Sequence, residues 1–299
     1  MSPMQSHRLR ANSGAINRQK TVQFTFDGKK YTGFEGDALA SALLANGVHL
    51  VGRSFKYHRP RGIVTCGPEE PNALVNLGRG AYFEPNQRAT TTELFEGLEA
   101  KSQNHWPSLA FDLGAVNAKI HRLLPAGFYY KMFIHPRPLW KYLYEPFIRK
   151  SAGLGRAPVE KDKNQYEHFY AFYDFVIVGG GVAGLNAAKV AAASGKRILL
   201  MEQTAKWGGR APVDEQIFQS EVVDKFVEET VEHLKSLPNV TLRTRMMGAG
   251  IYDHGYLIGY ERLTDHDPNS LGPRHRLWRI RAAHIITATG AIERPLVFA

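Results

Sequence analysis

The pattern of hydrophobic and polar residues changes from strand-like to helix-like in the N-terminal part of the chain. Residues 22–26 and 30–34 alternate apolar and polar side chains with the period of a β-strand, and Asp27-Gly28 between them is typical of a two-residue hairpin. The Ala- and Leu-rich stretch 38–46 then predicts a helix. Strand, turn, strand and helix in this order predict a small β-grasp-like domain.

A second pattern, in which strands and helices alternate, occupies the C-terminal part of the chain. Residues 175–178 form a short continuous apolar run, as in a buried strand of a parallel sheet, and a helix is predicted over 185–194. A strand over 197–201 follows, and then an amphipathic helix over 217–236 that is ended by Pro238. Further strands are predicted near 240–246, 250–260 and 276–288. This alternation predicts an α/β domain with a parallel sheet.

A glycine-rich loop connects the first strand of the second pattern to its helix. Gly179 permits a tight turn, Gly181 lets the backbone approach a pyrophosphate, and Gly184 brings the helix close to the strand. The start of the helix offers N–H groups and a favourable dipole to a phosphate. Glu202, at the end of the second strand, is placed to accept hydrogen bonds from ribose hydroxyls. Together these features predict a dinucleotide site; a βα unit whose glycines serve only packing is the alternative.

Further residues extend this candidate site. Gly208-Gly209-Arg210 and the strand end Thr287-Ala288-Thr289-Gly290 resemble a flavoprotein-type domain, in which the strand end passes close to the dinucleotide. The predicted cofactor-binding residues are Gly179, Gly181, Val182, Ala183, Gly184, Glu202, Gly209, Arg210, Thr289 and Gly290. The motif does not separate NAD from FAD, so both cofactors stay open at the glycine loop.

The N-terminal block carries a long and specific family resemblance. Residues 52–63 read Gly-Arg-Ser-Phe-Lys-Tyr-His-Arg-Pro-Arg-Gly-Ile, and residues 69–75 read Glu-Glu-Pro-Asn-Ala-Leu-Val. With residues 26–29 and 36–47 before them, they resemble the N-terminus of the α subunit of heterotetrameric, folate-linked sarcosine oxidase. The resemblance runs from about Phe24 to Val75 and resumes at the glycine loop, so it covers most of the chain.

This resemblance implies cofactors and partners. In that family the N-terminal domain is similar to a plant-type [2Fe–2S] ferredoxin domain, and the α subunit holds a noncovalent NAD in its glycine-loop domain. An FMN lies at the interface with the β subunit, which holds FAD and oxidises the methylamine, and smaller γ and δ subunits complete the complex. A C-terminal domain of the α subunit, absent from this sequence, binds tetrahydrofolate. Subunits of opine oxidase and hydrogen cyanide synthase share the layout and remain alternatives.

The patterns and the resemblance predict the fold class α/β plus α+β, with a ferredoxin-like β-grasp domain followed by an incomplete Rossmann-like FAD/NAD-binding domain. We predict a basic N-terminal tail at 1–21, a ferredoxin-like domain without a cluster at 22–86, an aromatic and basic connecting segment at 87–170, and the dinucleotide-binding domain at 171–299. Because the chain ends soon after Gly290, before any second nucleotide lobe, we expect this last domain to be truncated.

Cysteine usage bears on the iron–sulfur cluster that the resemblance suggests. A plant-type cluster needs four thiolates, and Cys66 is the one cysteine of the chain. We therefore expect no iron–sulfur cluster from this chain alone, with Cys66 either a vestige of a ligand loop or an ordinary small residue. A single cysteine also excludes an internal disulfide, which fits a reducing compartment.

Charge and composition narrow the classes of partner. The formal net charge of +10 favours anionic partners, namely nucleic acid, acidic protein faces or anionic cofactors. The N-terminal tail is basic and contains no acid, so a mitochondrial transit peptide and a plain basic tail are both open. No apolar run is long enough for a membrane helix and no signal-peptide core is present, so we predict no membrane association and a cytoplasmic location.

Two basic stretches are candidate contact surfaces. The basic block, residues 53–61, is either a solvated loop or a contact to a flavin phosphate, an acidic partner or the neighbouring domain. Its charged residues are Arg53, Lys56, His58, Arg59 and Arg61. Residues 119–150 interleave basic and aromatic side chains, as in some single-strand binders, but no nucleic-acid motif accompanies them. We predict that residues 119–150 are buried against another subunit and bind no nucleic acid.

No catalytic residue and no metal ligand is assigned, because no histidine or acid lies in a motif with fixed spacing. His254 is predicted in a turn and His284 as a core residue of a strand.

The leading hypothesis is a subunit of a flavin-dependent sarcosine oxidase complex, which demethylates sarcosine with tetrahydrofolate as one-carbon acceptor and oxygen as electron acceptor. This chain is expected to bind a dinucleotide and partner subunits and to be inactive alone. A subunit of a related amine oxidase or dehydrogenase and a noncatalytic assembly subunit are the alternatives.

Overall fold

The computed structural model describes residues 7–8, 16–123, 127, 133, 135–151, 155, 157–211, 217–218, 221–267 and 269–291. The chain divides into two compact units, Met1–Lys163 and Asn164–Ala299. Each unit has hydrophobic core clusters of its own.

The first unit is framed by a mixed β-sheet. Its strands are β1 (Asn17–Phe26), β2 (Lys29–Glu35), β3 (Gly52–Arg53), β4 (Pro60–Arg61), β5 (Leu74–Leu77), β6 (Glu84–Arg88) and β7 (Leu98–Lys101). Five of them form one sheet in the order β2-β1-β7-β5-β6, while β3 and β4 pair separately. β1 pairs antiparallel with β2 and parallel with β7. This parallel pair at the centre, flanked by antiparallel strands, is the β-grasp arrangement predicted from the sequence.

Local sequence explains the start of this unit. Asp27 and Gly28, between β1 and β2, have φ of 51° and 78°, and a type I′ hairpin turn requires positive φ at both positions. The predicted helix is α1 (Leu39–Ala45). Its Leu39 and Leu43 are fully buried in one cluster with Phe24 of β1. Burial of each such side chain contributes about 1.5–3 kcal/mol, so α1 is held on the sheet by its apolar face.

The segment boundaries of this unit differ from the predicted ones. β1 begins at Asn17, inside the predicted tail, and Arg8 of the tail forms a salt bridge of 2.7 Å with the buried carboxylate of Asp37. β7 follows the predicted boundary at residue 86, yet it lies between β1 and β5. Pairing between strands distant in sequence therefore extends the sheet-forming segment to Lys101.

The other elements among the described residues of the first unit are short helical turns. They are 3-10 turns at Gly80–Tyr82, Leu113–Ala115 and His121–Leu123, α2 (Val116–Lys119), α3 (Arg137–Leu139), a π-helical turn at Trp140–Tyr144, and α4 (Glu145–Ser151). Tyr142 and Phe147 are 73% and 68% exposed. The burial of this segment against another subunit stays a prediction.

The second unit contains a six-stranded sheet with helices. Its strands are β8 (Tyr166–Val178), β9 (Ile198–Met201), β10 (Ile217–Phe218), β11 (Glu221–Val222), β12 (Val240–Arg243), β13 (Met246–Tyr252), β14 (Tyr256–Arg262) and β15 (His275–Thr287); its helices are α5 (Val182–Ala192) and α6 (Val223–Ser236). The sheet order is β12-β9-β8-β15-β14-β13, with β10 and β11 in a separate hairpin. The first four strands of that order pair in parallel, and β15, β14 and β13 pair antiparallel. The parallel part with its crossover helices is Rossmann-like, as predicted.

Three details of this unit differ from the predictions. The predicted strand 250–260 is a hairpin, because His254 and Gly255 have φ of 60° and 67° and reverse the chain between β13 and β14. The turn predicted at His254 is thereby confirmed. The predicted helix 217–236 is shorter, since β10 and β11 precede α6. His284 is exposed in β15 and stacks on Phe175 at 5.0 Å, so its prediction as a core residue is wrong.

No helix in the described ranges is both long and apolar enough to cross a membrane.

Candidate dinucleotide-binding site

The glycine loop, residues 179–184, lies at the carboxyl end of β8. The N–H of Gly179 donates to the carbonyl of Met201 at 2.8 Å, and the N–H of Ala288 donates to the carbonyl of Val178 at 2.8 Å. The strands on both sides of β8 therefore fix the entry to the loop. Gly179 has φ of 109°, and a Cβ there would lie 2.3 Å from the carbonyl oxygen of Ala288. Both backbone conformation and space require glycine at this position.

Gly181 is the residue from which α5 begins. Its backbone is extended, with φ −74° and ψ −177°, and no side chain caps the helix. The first N–H groups of an α-helix have no acceptor within the helix. Gly181 also forms a parallel bridge with Gly208, so the N–H of Ala183 is the first that is left for an external group. A Cβ at Gly181 would come no closer than 4.0 Å to any neighbouring atom. Room beside a glycine backbone and an unsatisfied donor at the helix start are what a pyrophosphate site needs.

Gly184 has a different role from Gly181. A Cβ at Gly184 would lie 1.8 Å from the carbonyl oxygen of Gly179. The backbone of α5 therefore packs directly on the end of β8, and Leu185 and Ala188 of the same helix are fully buried. This geometry agrees with the predicted role of Gly184 in bringing helix and strand together.

Glu202 follows β9 and is buried, with 6% of its surface exposed. One carboxylate oxygen accepts the N–H of Gly180 at 2.8 Å. The other accepts the N–H of Thr204 at 2.8 Å and its hydroxyl at 2.9 Å. Glu202 thus ties the second strand to the glycine loop. A carboxylate accepts about four hydrogen bonds, so one position remains for a ribose hydroxyl. The ribose contact stays a prediction.

A second glycine pair lies against the glycine loop. The N–H of Gly208 donates to the carbonyl of Gly180 at 2.8 Å, and a Cβ at Gly209 would lie 3.2 Å from the Cα of Gly181. The ring of Trp207 covers Gly180, where a Cβ would lie 2.4 Å from the ring. Trp207 is not among the predicted site residues. Its position directly before Gly208-Gly209 is the feature of the sequence that places it near the glycine loop.

The remaining predicted residues lie at the margin of this arrangement. Arg210, Thr289 and Gly290 are all exposed. The backbone nitrogen of Thr289 lies 3.2 Å from the Cβ position of Gly179, so Thr289 adjoins the loop. Gly290 has φ of 74° and continues away from β15. The assignment of the full set as cofactor-binding stays a prediction.

Several side chains of the basic block, Arg53 and His58 among them, have partners inside the first unit. The guanidinium of Arg53 donates to the carbonyl of Leu109 at 3.1 and 2.8 Å. The ring of His58 lies 2.7 Å from the buried carboxylate of Asp112. Burial raises the pKa of Asp112, but hydrogen bonds from the Trp106 N–H and from His58 outweigh burial, so the pKa lies below its usual value. Arg53 and His58 therefore hold loops of this unit together; a cofactor or partner contact by the rest of the block stays a prediction.

Two family models match the chain. Residues 19–105 match the 2Fe-2S iron-sulfur cluster binding domain, and residues 173–298 match pyridine nucleotide-disulphide oxidoreductase. The ferredoxin-like and FAD/NAD-binding Rossmann-like fold class is therefore confirmed. The second match spans every residue of the candidate dinucleotide site.

The first match corrects one prediction. We expected no iron–sulfur cluster from this chain alone, whereas residues 19–105 match a family of cluster-binding domains. A count of thiols does not report on the sheet and loops that define such a domain, and that is why the expectation failed. Cys66 lies within the matched residues and is a free, exposed thiol, whereas a plant-type cluster is held by four thiolates. The described residues contain no group of three or more His, Cys, Asp or Glu placed to hold a metal ion.

Curated relatives match the chain along its length. It is 50% identical over 297 residues to the sarcosine oxidase subunit alpha of Rhizobium meliloti (strain 1021), and 32% identical over 307 residues to that of Corynebacterium sp. (strain U-96). The resemblance to sarcosine oxidase α subunits is confirmed. The matches cover 99% and 100% of this chain, and the chain spans 30% and 27% of those two sarcosine oxidase subunits. Their names describe oxidoreductases built from more than one subunit.

Other similarities have a lower sequence identity or cover a shorter part of the chain. The crystal structure of L-proline dehydrogenase from P. horikoshii matches with a TM-score of 0.58 and 20% identity, over 100% of this chain and 45% of that chain. At this identity the likeness shows the fold alone. Thioredoxin reductase of Plasmodium falciparum (isolate FCH-5) is 40% identical over 65 residues, which are 20% of this chain and 12% of that protein.

Proposed function

We propose that this chain binds an adenine dinucleotide of the FAD/NAD type at the glycine loop, as part of the α subunit of a sarcosine oxidase complex. The observation that carries the proposal is the room beside Gly181, where a Cβ would meet no atom closer than 4.0 Å, in front of the uncapped start of α5. There the N–H of Ala183 can donate to a pyrophosphate, and the helix dipole favours its negative charge. Glu202 has an acceptor position left for a ribose hydroxyl.

The role proposed for the complex follows from the sarcosine oxidase relatives. The complex removes the methyl group of sarcosine by oxidising its CH–NH bond, transfers the carbon to tetrahydrofolate, and reduces oxygen to hydrogen peroxide, which leaves glycine and methylenetetrahydrofolate. The present chain contributes nucleotide binding and contacts with the β, γ and δ subunits. Oxidation of the amine takes place elsewhere in the complex, so this chain alone has no sarcosine oxidase activity.

Nucleotide identity gives the first test. The purified chain is denatured, and the released small molecules are identified by mass. We expect either FAD or NAD from the wild-type chain and neither from Gly181→Ala, since the added methyl group would occupy the space that the pyrophosphate needs. Gly272→Ala is the matched control, because its Cβ would meet its nearest neighbour at an ordinary 3.5 Å. Equal amounts of nucleotide from all three proteins contradict the placement of the site.

The reaction of the complex gives the second test. A full-length α subunit that contains this sequence is co-expressed with the β, γ and δ subunits, and peroxide production is measured with sarcosine and with opines. The proposal predicts sarcosine-dependent peroxide. Turnover of opines without turnover of sarcosine rejects the sarcosine assignment but leaves the nucleotide site standing.

A further inference from the structure

One half of β8 is an exposed sheet edge. Residues 175–178 of β8 pair with β9 on one side and with β15 on the other. The edge segment, residues 167–173, pairs with β15 alone, and no strand among the described residues pairs with its other side. Alternate backbone N–H and C=O groups along such an edge point away from the sheet, where another strand can bind them.

The side chains of the edge segment are aromatic and unusually exposed. Tyr170 and Phe172 are 63% and 65% exposed on the outer face, while Ala171 between them is buried. Folded proteins commonly protect a bare edge with lysine, proline or a bulge. The edge segment reads Glu-His-Phe-Tyr-Ala-Phe-Tyr, with no lysine and no proline. A long aromatic edge without protection indicates a surface that another chain covers.

The outer face beside this edge is positively charged. Arg279 and Arg281 of β15 lie opposite Tyr170 and Phe172. Arg279 donates to the Tyr170 hydroxyl, and its guanidinium lies 5.3 Å from the centre of that ring. The one acid of the segment, Glu167, forms a hydrogen bond of 2.7 Å with Arg276. This face therefore carries excess positive charge, which acidic side chains of a partner would balance.

We propose that the edge segment binds an extended, acidic stretch of a partner polypeptide by strand addition. Backbone hydrogen bonds would hold the added strand, Tyr170 and Phe172 would pack on its apolar side chains, and Arg279 would pair with its carboxylates. Arg281 donates to the carbonyls of Asp253 and His254 on the side of β15 away from the edge, and it adds positive charge to this face. The net charge of +10 disfavours a second copy of this chain as the occupant. The combination of arginine and aromatic residues without lysine is typical of protein interfaces and differs from phosphate-binding surfaces.

The test uses the whole chain and three labelled probes: an alternating Glu-Val octapeptide, an alternating Lys-Val octapeptide and a single-stranded thymidine oligonucleotide. Affinity is measured by fluorescence anisotropy, and backbone protection by hydrogen–deuterium exchange. We expect the acidic peptide to bind at least about tenfold tighter than the basic peptide, because only its charges complement the arginines. It should slow exchange in residues 167–173.

Substitutions test whether the acidic peptide binds at the edge segment. Phe172→Glu and Arg279→Glu should each weaken binding of the acidic peptide about tenfold, since each brings like charge to the edge. Val190→Glu, at a position 68% exposed on α5, is the matched control and should bind normally. Tyr170→Gln, a milder change, keeps the test valid where a charged variant fails to fold.

Three results overturn the inference. They are equal binding of the two peptides, protection that falls outside the edge segment, and a preference for the oligonucleotide that Phe172→Glu abolishes. A dimer of the wild-type chain that Phe172→Glu dissociates in sedimentation would also reject it, in favour of self-association. None of these outcomes depends on the glycine loop, so the proposed nucleotide function is judged separately.

Discussion

Replacement of Gly184 by alanine places a methyl group between α5 and the end of β8. The new Cβ would lie 1.8 Å from the carbonyl oxygen of Gly179, whereas ordinary contacts begin at 3.4 Å. The difference, 3.4 − 1.8 = 1.6 Å, is the distance by which helix and strand must separate if the contact is to become ordinary. Because the oxygen belongs to the backbone, it cannot rotate away as the end of a flexible side chain could.

Two effects of opposite sign determine how much Gly184→Ala changes the free energy of unfolding. Alanine is favoured over glycine within a helix by about 1 kcal/mol. Overpacking of a well-packed core costs about 1–3 kcal/mol, and more where the backbone must move. Leu185 and Ala188, fully buried on the same helix, would lose their packing as α5 shifts. We therefore expect a net loss of about 2 kcal/mol in the free energy of unfolding of the second unit.

Urea unfolding measures this loss, with hydrogen–deuterium exchange over residues 174–192 as a probe local to the second unit. Gly184→Ala should lower the midpoint with little change in slope, since the surface exposed on unfolding is nearly the same. Gly272→Ala is the control and should match the wild type. A Gly184→Ala protein as stable as the wild type would refute the close approach of α5 to β8.

Three further predictions concern carboxylates that accept several hydrogen bonds. Glu70 is buried and accepts the backbone N–H groups of residues 64, 65, 72 and 73, so Glu70→Ala should lower the free energy of unfolding of the first unit by about 3 kcal/mol in a urea titration. Burial raises the pKa of Asp265, but the hydrogen bond with His275 and nearby positive charge outweigh burial and hold the pKa below its usual value. A depressed pKa stabilises the fold above the unfolded-state pKa, and the gain is lost as pH falls through the folded-state pKa, so the wild type should lose more stability than Asp265→Asn on acidification below about pH 4. Glu202→Ala leaves the N–H groups of Gly180 and Thr204 without an acceptor and should cost about 1–3 kcal/mol in thermal unfolding, while an unchanged melting temperature would contradict the buried hydrogen bonds.

Local features of the chain were predictable because local physics determines them. The hairpin at Asp27-Gly28 needs two residues with positive φ, and the glycine loop needs residues without a Cβ; both demands are visible in the sequence. The turn at His254-Gly255 also needs two residues with positive φ, but His-Gly is a less common pair in such turns. The sequence pattern therefore predicts one strand over 250–260 where the structure has two.

Features that depend on distant residues were not predictable in this way. β7 lies at the centre of its sheet because it pairs with β1, which is far away in sequence. Trp207 covers Gly180 only because the chain returns to the glycine loop after β9. The hydrogen bonds of Glu202 to Gly180 have the same origin. The sequence pattern identified the acid, and the structure shows that it also holds the loop in place.

Calorimetric titration of FAD and NAD into the wild type, Gly181→Ala and Gly272→Ala tests the central claim most directly. Gly181 has a backbone conformation open to alanine, and its Cβ would meet its nearest neighbours, the Gly208 carbonyl oxygen and the Gly209 Cα, at an ordinary 4.0 Å, so its replacement should leave unfolding unchanged. We predict that the wild type and Gly272→Ala bind one of the two nucleotides equally well. Gly181→Ala should bind it at least about tenfold more weakly, a loss of about 1.4 kcal/mol or more. Equal affinity of Gly181→Ala and wild type, or no binding of either nucleotide by the wild type, would contradict a dinucleotide site at the glycine loop.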